Sequence, residues 1–343
     1  MSKRDFYFDN AKFILIVFVV FGHFLRSYIS DNSVIFALYV TIYLFHMPGF
    51  ILVSGYFAKS FHKKGYTKKI TQKILLPFFI FQMIYSFFYF YLYENKEFHL
   101  NLLVPNWSLW FLLSLFCWNL LLLISVKWLK LKPAILIVLS FAAGIMIGCI
   151  NGQLDVLSFA RTFIFFPFFL IGYYLKREHF TFLADKTVRM VLLLSIPVVF
   201  YSAYTFSDFD QRWLLGSSSF AELDSSNVEG MMYRVGIYVV SFIMIAAFLS
   251  FVPKKKFFFT DWGRNTLYVY LLHGFVIKTF RESEVKESTE SIILLLIASL
   301  FLTMLLSSTV VTAIAQPFIE TKWSKLKNLF SHRYKQENIS EKL

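Results

Sequence analysis

The sequence predicts an all-α integral membrane protein of about ten transmembrane helices with both termini cytoplasmic, and three observations predict it. Apolar runs near twenty residues recur along the whole 343-residue chain, each long enough as a helix to cross about 30 Å of hydrocarbon. Hydrophobic residues make up 57% of the chain and charged ones only 16%, where a soluble domain carries roughly a quarter charged; the mean hydropathy is +0.61. The net charge of +13 collects in short segments that alternate with poorer ones, as cytoplasmic loops of a polytopic protein do. That distribution argues against a nucleic-acid partner, because no single polar face gathers the basic residues. The bilayer is the expected partner instead.

The first apolar run, near 11–29, lacks a small-residue cleavage site, holds a histidine and leads straight into a second near 34–58. It therefore reads as a span and not as a cleaved signal peptide. Further spans fall near 75–93, 107–126, 133–150, 157–175, 190–206, 231–252, 266–280 and 291–319. With all ten counted, the basic segments 59–73, 127–132, 176–189 and 253–264 share the side of the amino terminus, and the basic tail joins them. No soluble domain or fixed-period repeat is expected, so residues 1–330 form one polytopic unit and 331–343 a polar cytoplasmic tail. The 207–230 segment, rich in Ser, Asp and Gly, predicts an irregular lid or partly ordered loop on the outer side. Cys117 and Cys149 both fall in apolar runs and read as packing residues, with no disulfide framework and no metal set.

Ionisable groups inside a span are costly and usually face a protein interior or polar cavity. The first such constellation is Asp9, Lys12 and His23 in DNAKFILIVFVVFGHF. Lys12 and His23 are separated by about three helical turns, so they point to nearly the same side of one helix, and Asp9 lies within reach of Lys12 as an i,i+3 pair. Two readings are open: a catalytic imidazole near mid-membrane, or interfacial anchors with His23 bonded to a neighbouring helix. The second constellation is His46 in LFHMPGF, at a depth comparable with His23. Pro48 predicts a kink just after it. His46 either shares a cavity with His23 or caps backbone groups that Pro48 frees.

The third is the basic lead-in to the third span, where Lys68, Lys69 and Lys73 occupy one helical side before Pro77. Such residues bind anionic lipid headgroups or the phosphates of a nucleotide-bearing donor, lysine acting as a point charge. Asn106, Trp107 and Trp110 read as an outer aromatic belt. Arg161 reads as a substrate contact or a snorkelling cation, and His273 in YLLHGF as a third intramembrane histidine. His62, His99, His179 and His332 fall in loops or the tail and carry no signal. No Walker A, GxGxxG, HExxH or GxSxG segment is present, which removes nucleotide hydrolases, zinc proteases and serine-elbow hydrolases from consideration.

Taken together, DNAKFILIVFVVFGH, LFHMPGFILVSGYF, KILLPFF, SLWFLLSLF, FFLIGYYLK and RNTLYVYLLHGF resemble, in order, segments of the acyltransferase-3 family of integral-membrane O-acyltransferases, in particular its fucose 4-O-acetylase-like branch. The family's pattern of a basic residue, ten intervening residues and a histidine falls on Lys12 and His23, with lysine where many members have arginine. A cytoplasmic arginine motif linked to acyl-CoA in relatives falls on Lys69 and Lys73. The resemblance implies transfer of an acyl group, usually acetyl, from cytoplasmic acyl-CoA to a hydroxyl of an extracytoplasmic or lipid-linked carbohydrate. Acetyl-CoA is then a co-substrate and no cofactor is resident. The protein would be a multi-pass enzyme of a bacterial plasma membrane. On this reading His23 is the general base, with Lys12 and Asp9 setting its surroundings or the donor's position, and His46 is the alternative base or a binding partner. Lys68, Lys69 and Lys73 hold the donor's diphosphate, and Arg161, His273 and Trp107 engage the acceptor. The competing reading is an exporter or flippase of a polysaccharide or lipid-linked sugar, against which the scarcity of intramembrane acids argues only as far as ion coupling goes.

Overall fold

The computed structural model describes residues 5–327 except 95, 96, 99 and 153; His99, His332 and the 331–343 tail lie outside the described residues. Every regular element among the described residues is helical. Helix α1 (Phe6–Leu25) begins where the Asp5 carboxylate accepts the Tyr7 N–H at 3.1 Å. Asn32 caps α2 (Ser33–Tyr43) in the same way, and α3 (His46–Phe57) follows after a break. The short α4 (Tyr66–Ile70) passes through a π-helical turn, Thr71–Leu75, into α5 (Leu76–Leu92). Then come α6 (Trp110–Leu122), α7 (Pro133–Met146), α8 (Phe159–Tyr174), α9 (Arg177–Phe182), α10 (Lys186–Thr205) and α11 (Arg212–Leu215). The chain ends in α12 (Asn227–Phe251), α13 (Thr266–Glu282), α14 (Val285–Ser288), α15 (Ile292–Leu306) and α16 (Thr309–Glu320).

Each of the ten expected spans coincides with helix. Among the described residues seven stretches are long and apolar enough to cross a membrane, and an eighth is added if α15 and α16, bent by 66°, are one span. Pro133–Cys149 is a shorter apolar helix, and α13 has 17 residues and carries Lys278, Arg281 and Glu282. Helix α13 does not need an apolar surface all round, because Thr266, Tyr268, Tyr270 and His273 are buried against neighbouring helices.

Helix α1 is the centre of the bundle. Leu15, Ile16, Val19 and Val20 are at most 1% exposed, and the helix packs on α3, α13 and α15. Helices α3 and α8 meet through two glycines. A Cβ on Gly55 would strike the Phe169 carbonyl, and one on Gly172 would strike the Leu52 carbonyl. Small residues permit this close approach, and the contact fixes the helix that begins with His46 against the one that carries Arg161. Helix α10 sits at the periphery, with Val191, Leu194 and Val198 each more than 60% exposed, the surface a helix presents to lipid.

The basic segments gather at the end of the bundle that holds the amino-terminal residues. Arg177 pairs with Asp5 at 3.0 Å, Lys59 donates to the Leu175 carbonyl, and the buried Asn10 amide donates to the carbonyls of Pro253 and Lys255. Lys325 reaches Tyr268 at the start of α13, so the last described residues lie at this end too.

At the opposite end the 207–230 segment is more compact than expected. Trp213, Phe220 and Leu223 form a small apolar core of its own. Ser226 and Glu229 form a reciprocal capping box that starts α12.

Candidate functional site

A cavity of about 260 Å³ opens at the end of the bundle remote from the amino terminus. Its wall comes from six separate places: His23 and Arg26 at the end of α1, Tyr43 and His46 at the break between α2 and α3, Trp107 and Trp110, Arg161 with Asp155, Leu214 with Leu215, and Tyr270. His23 and His46 thus share one cavity, as the spacing suggested, but neither sits where the sequence placed it. His23 lies in the last turn of α1, not at its middle.

His46 opens α3, and the break precedes it at Leu44 and Phe45 instead of following it. The reason is positional. Pro48 falls in the first turn of α3, where backbone N–H groups have no intrahelical partner, so a proline there costs nothing.

The histidines differ in how they are held. His46 Nδ1 donates to the Ile42 carbonyl at 2.8 Å, a carbonyl that the break in the helix leaves at the end of α2. This fixes the tautomer with the proton on Nδ1 and leaves the Nε2 lone pair as the basic position. His273 Nδ1 likewise donates to Val269 at 3.0 Å. His273 does not line the cavity; it stands fully buried behind the wall, its ring 5.1 Å from Trp107 and 5.3 Å from His23. Its expected contact with an acceptor becomes support for Trp107 and His23 in this arrangement. His23 faces the Tyr43 hydroxyl through Nδ1 at 3.3 Å and the Trp107 ring at 4.6 Å. Arg281 closes the end of α1 by donating to the His23 carbonyl at 2.7 Å, a cation where the helix dipole favours one.

Trp107 and Trp110, expected as an outer aromatic belt, line the cavity. Trp107 adopts φ 40°, a left-handed conformation costing on the order of 1–3 kcal/mol for a non-glycine residue. The segment before it is held by a buried amide on α5. Gln82 Nε2 donates to the carbonyls of Asn101 (2.6 Å) and Val104 (2.9 Å), and its Oε1 accepts the Asn106 N–H (2.9 Å). The Asn106 side chain adds bonds to the Gln82 carbonyl and to Ser86. Arg161 turns inward instead of snorkelling. Its Nε donates to the Leu215 carbonyl at 3.1 Å, a terminal nitrogen lies 3.9 Å from Asp155, and the guanidinium sits 5.3 Å from the Trp110 ring. The Tyr270 hydroxyl donates to the Ser108 carbonyl, fixing the short turn after Trp107.

The remaining predicted residues lie elsewhere. Lys12 pairs with Asp9 at 3.0 Å, but both stand at the amino-terminal end, about 16 Å (Lys12) and about 21 Å (Asp9) along α1 from His23, and neither lines the cavity. Sharing a helix side does not bring them together, because the separation is axial. Lys68, Lys69 and Lys73 are exposed on α4 and the π-helical turn, also at the basic end. Sequence reasoning missed Arg26, Tyr43, Asp155, Tyr270 and Gln82. Only Gln82 left a usable signal, as a lone amide in the apolar run PFFIFQMIYSFF.

Two curated relatives match parts of the chain. Nodulation protein NolL of Mesorhizobium japonicum is 37% identical over 83 residues, 22% of each chain. Nodulation protein NolL of Sinorhizobium fredii is 45% identical over 60 residues, 17% of this chain and 16% of the relative. The aligned part therefore spans about a fifth of the length of these relatives. No solved structure matches. A family model described as "Acyltransferase domain" matches residues 5–312, nearly the whole chain and every element that lines the cavity. The chain belongs to this acyltransferase family, the one its ordered membrane segments resembled.

Proposed function

We propose that the protein is a membrane O-acyltransferase that moves an acyl group, acetyl in the simplest case, from coenzyme A thioester to a carbohydrate hydroxyl. One observation carries this reading: two imidazoles, two indoles and two guanidinium groups converge on a single cavity of sugar size. Indole faces cover the apolar faces of a sugar ring, and arginines bond its hydroxyls in a fixed geometry. A sugar hydroxyl is a weak nucleophile at neutral pH and needs a base during attack. His23, lying against Trp107 and partly open to the cavity, takes that proton as the hydroxyl oxygen bonds to the thioester carbonyl carbon and the thiolate leaves. His46, with its Nε2 lone pair free, binds the acceptor or serves as the second base. Acyl-CoA binds from the basic end, its phosphates at Lys68, Lys69 and Lys73 with Lys12 and Asp9 beside it. That end is cytoplasmic on the positive-inside rule, which puts the cavity on the outer face of a bacterial plasma membrane.

The test is transfer of labelled acetyl from acetyl-CoA to surface glycan by membranes containing the wild type, His23→Ala or His46→Ala at matched protein levels. His23→Ala is expected to lose about a hundredfold or more, the range for removing a general base. Retained transfer removes His23 from the reaction.

A further inference from the structure

The cavity beside His23 gathers more positive charge than its own acid balances. Arg26 and Arg161 line it, and Asp155 is the sole acid among the described lining residues. Lys278 and Arg281 stand on α13 behind this wall. The Lys278 ammonium lies 5.8 Å from the Trp107 ring, and Arg281 donates to the His23 carbonyl at 2.7 Å. Arg161, Lys278 and Arg281 each feel the repulsion of the Arg26 guanidinium.

Three of these four cations are answered within the protein. Asp155 sits 3.9 Å from Arg161. Glu282, one turn along α13, attracts Lys278, whose ammonium also donates to the Tyr93 hydroxyl at 3.3 Å. Arg281 meets the carbonyl end of α1, where the helix dipole places about half a unit of negative charge. Arg26 caps that same helix end, so its charge is surplus to the partial charge that Arg281 already meets. Among the described residues no ion pair or side-chain hydrogen bond includes the Arg26 guanidinium. The residue is half-buried, in a wall shared with Trp107 and Phe165, where charge is screened less than at an open surface.

We propose that Arg26 receives a carboxylate of the acceptor, so that the sugar acylated here is an acidic one, a uronic acid or a sugar with a carboxyl substituent. The inference rests on the acyltransferase reading for the word acceptor, but the site itself is independent of turnover. One surplus cation calls for one negative charge, which a carboxylate carries at neutral pH and a phosphomonoester, at about −1.5 to −2, exceeds. The guanidinium fork matches a planar carboxylate through two parallel N–H···O bonds. A neutral sugar of the same shape meets the indoles equally well and leaves the Arg26 charge unanswered. Arg26 follows His23 by three residues at the end of α1, and both line the cavity, as neighbours at this spacing do. A carboxylate fixed at Arg26 therefore holds the sugar ring beside the imidazole that takes the hydroxyl proton. Arg26 selects and positions the acceptor; it does not take part in the proton transfer.

The experiment titrates small saccharides against the purified full chain in nanodiscs, followed by ligand-observed NMR. The probes are methyl glucuronoside and methyl galacturonoside, the carboxamide of each, and glucose 6-phosphate. At least one uronate is expected to bind about tenfold or more tightly than its own amide, the size of one charge-assisted hydrogen bond. Arg26→Gln should bring uronate and amide to equal affinity, and retained amide binding shows that the cavity is intact. Should that variant bind neither, Arg26→Lys decides, since it keeps the charge without the fork and should keep a reduced preference; amide binding with no preference overturns the proposal. Arg212→Gln removes an exposed cation at the same end of the bundle, paired with Asp210 at 2.7 Å, and should keep the preference. Its loss there would assign anion selection to the general positive field and overturn the proposal. Equal binding of uronate and amide by the wild type, binding of no uronate, a preference that survives Arg26→Gln, or tighter binding of the phosphate than of either uronate likewise overturns it. A uronate preference in a protein that transfers no acyl group to any acceptor refutes the acyltransferase reading and leaves the site standing; active transfer with uronate and amide bound equally refutes the site alone.

Discussion

Replacing Gln82 with leucine tests whether the cavity depends on a residue that does not touch it. Leucine approximates the volume, so the apolar packing of α5 is kept, while three side-chain hydrogen bonds to the 101–106 segment are lost. Two carbonyls and one N–H are left without their partner. A deprived buried group costs about 1–3 kcal/mol, and Asn101 is exposed while Val104 and Asn106 are half-buried. Water therefore recovers part of the loss, and a total of about 2–4 kcal/mol is reasonable on the same scale. The cost falls on one segment and not on the whole bundle, so it shows as local opening. Trp107 is held in a left-handed conformation at the end of that segment. Once the anchor is gone it relaxes, and the cavity loses the wall that His23 lies against. Hydrogen exchange of residues 103–107 should accelerate by about thirtyfold or more, the equivalent of 2 kcal/mol, with unchanged exchange in α1 and α3. Acyl transfer should fall while acyl-CoA binding holds. Unchanged protection of 103–107 together with unchanged transfer would refute the reasoning.

Two further perturbations follow from the packing and the charge distribution. Gly55→Val places a branched side chain against the Phe169 carbonyl and should lower thermal stability in detergent by about 1–3 kcal/mol or more, as overpacking does; an unchanged transition would mean that α3 and α8 are not held by this contact. Replacing Lys68, Lys69 and Lys73 together with glutamine should raise KM for acyl-CoA, flatten its salt dependence and spare kcat, if these exposed cations meet the donor's phosphates as proposed, away from the reacting atoms; a fall in kcat at unchanged KM would contradict the assignment.

The helical membrane architecture was legible because length, apolarity and loop charge repeat along the whole chain. Short spans were less legible, since a 17-residue helix such as α13 owes its place to packing and can carry tyrosine and histidine on its buried side. His23, His46, Trp107 and Arg161 were legible as candidates because polar or aromatic groups stand out in apolar runs. Their convergence was not. The cavity is assembled from a helix end, a helix break, a short turn and a loop, and sequence periodicity carries no information on how such fragments meet. Depth was misjudged for His23 because α1 starts at Phe6, earlier than the first strongly apolar residues, and ends at Leu25. Residues such as Arg26 and Asp155 border spans, where charge is ordinary, so nothing in the sequence separated them from solvated loop positions.

The axial separation of the basic end from His23 constrains how an acyl group reaches the acceptor. From Lys12 to His23 the chain rises about 16 Å, and Leu15, Ile16, Val19 and Val20 between them are packed to 1% exposure or less. A donor bound at the basic end and an acceptor in the cavity do not meet in this arrangement. Direct transfer then requires α1 to part from α3 or α13 so that the thioester carbonyl comes within bonding distance of the hydroxyl. Relayed transfer requires an imidazole Nε2 to take the acyl group first, with loss of thiolate, and pass it on; His23 and His46 line the same cavity, so the donor must reach that cavity on this route too. His46 has the tautomer suited to that attack, its Nδ1 proton being held by Ile42. The alternatives differ without any acceptor present. Wild-type protein given acetyl-CoA alone should gain the mass of one acetyl group on intact-mass measurement if the transfer is relayed, and His46→Ala or His23→Ala should remove that gain according to which ring carries it. Absence of the adduct, with wild-type transfer intact once acceptor is added, assigns the reaction to direct attack.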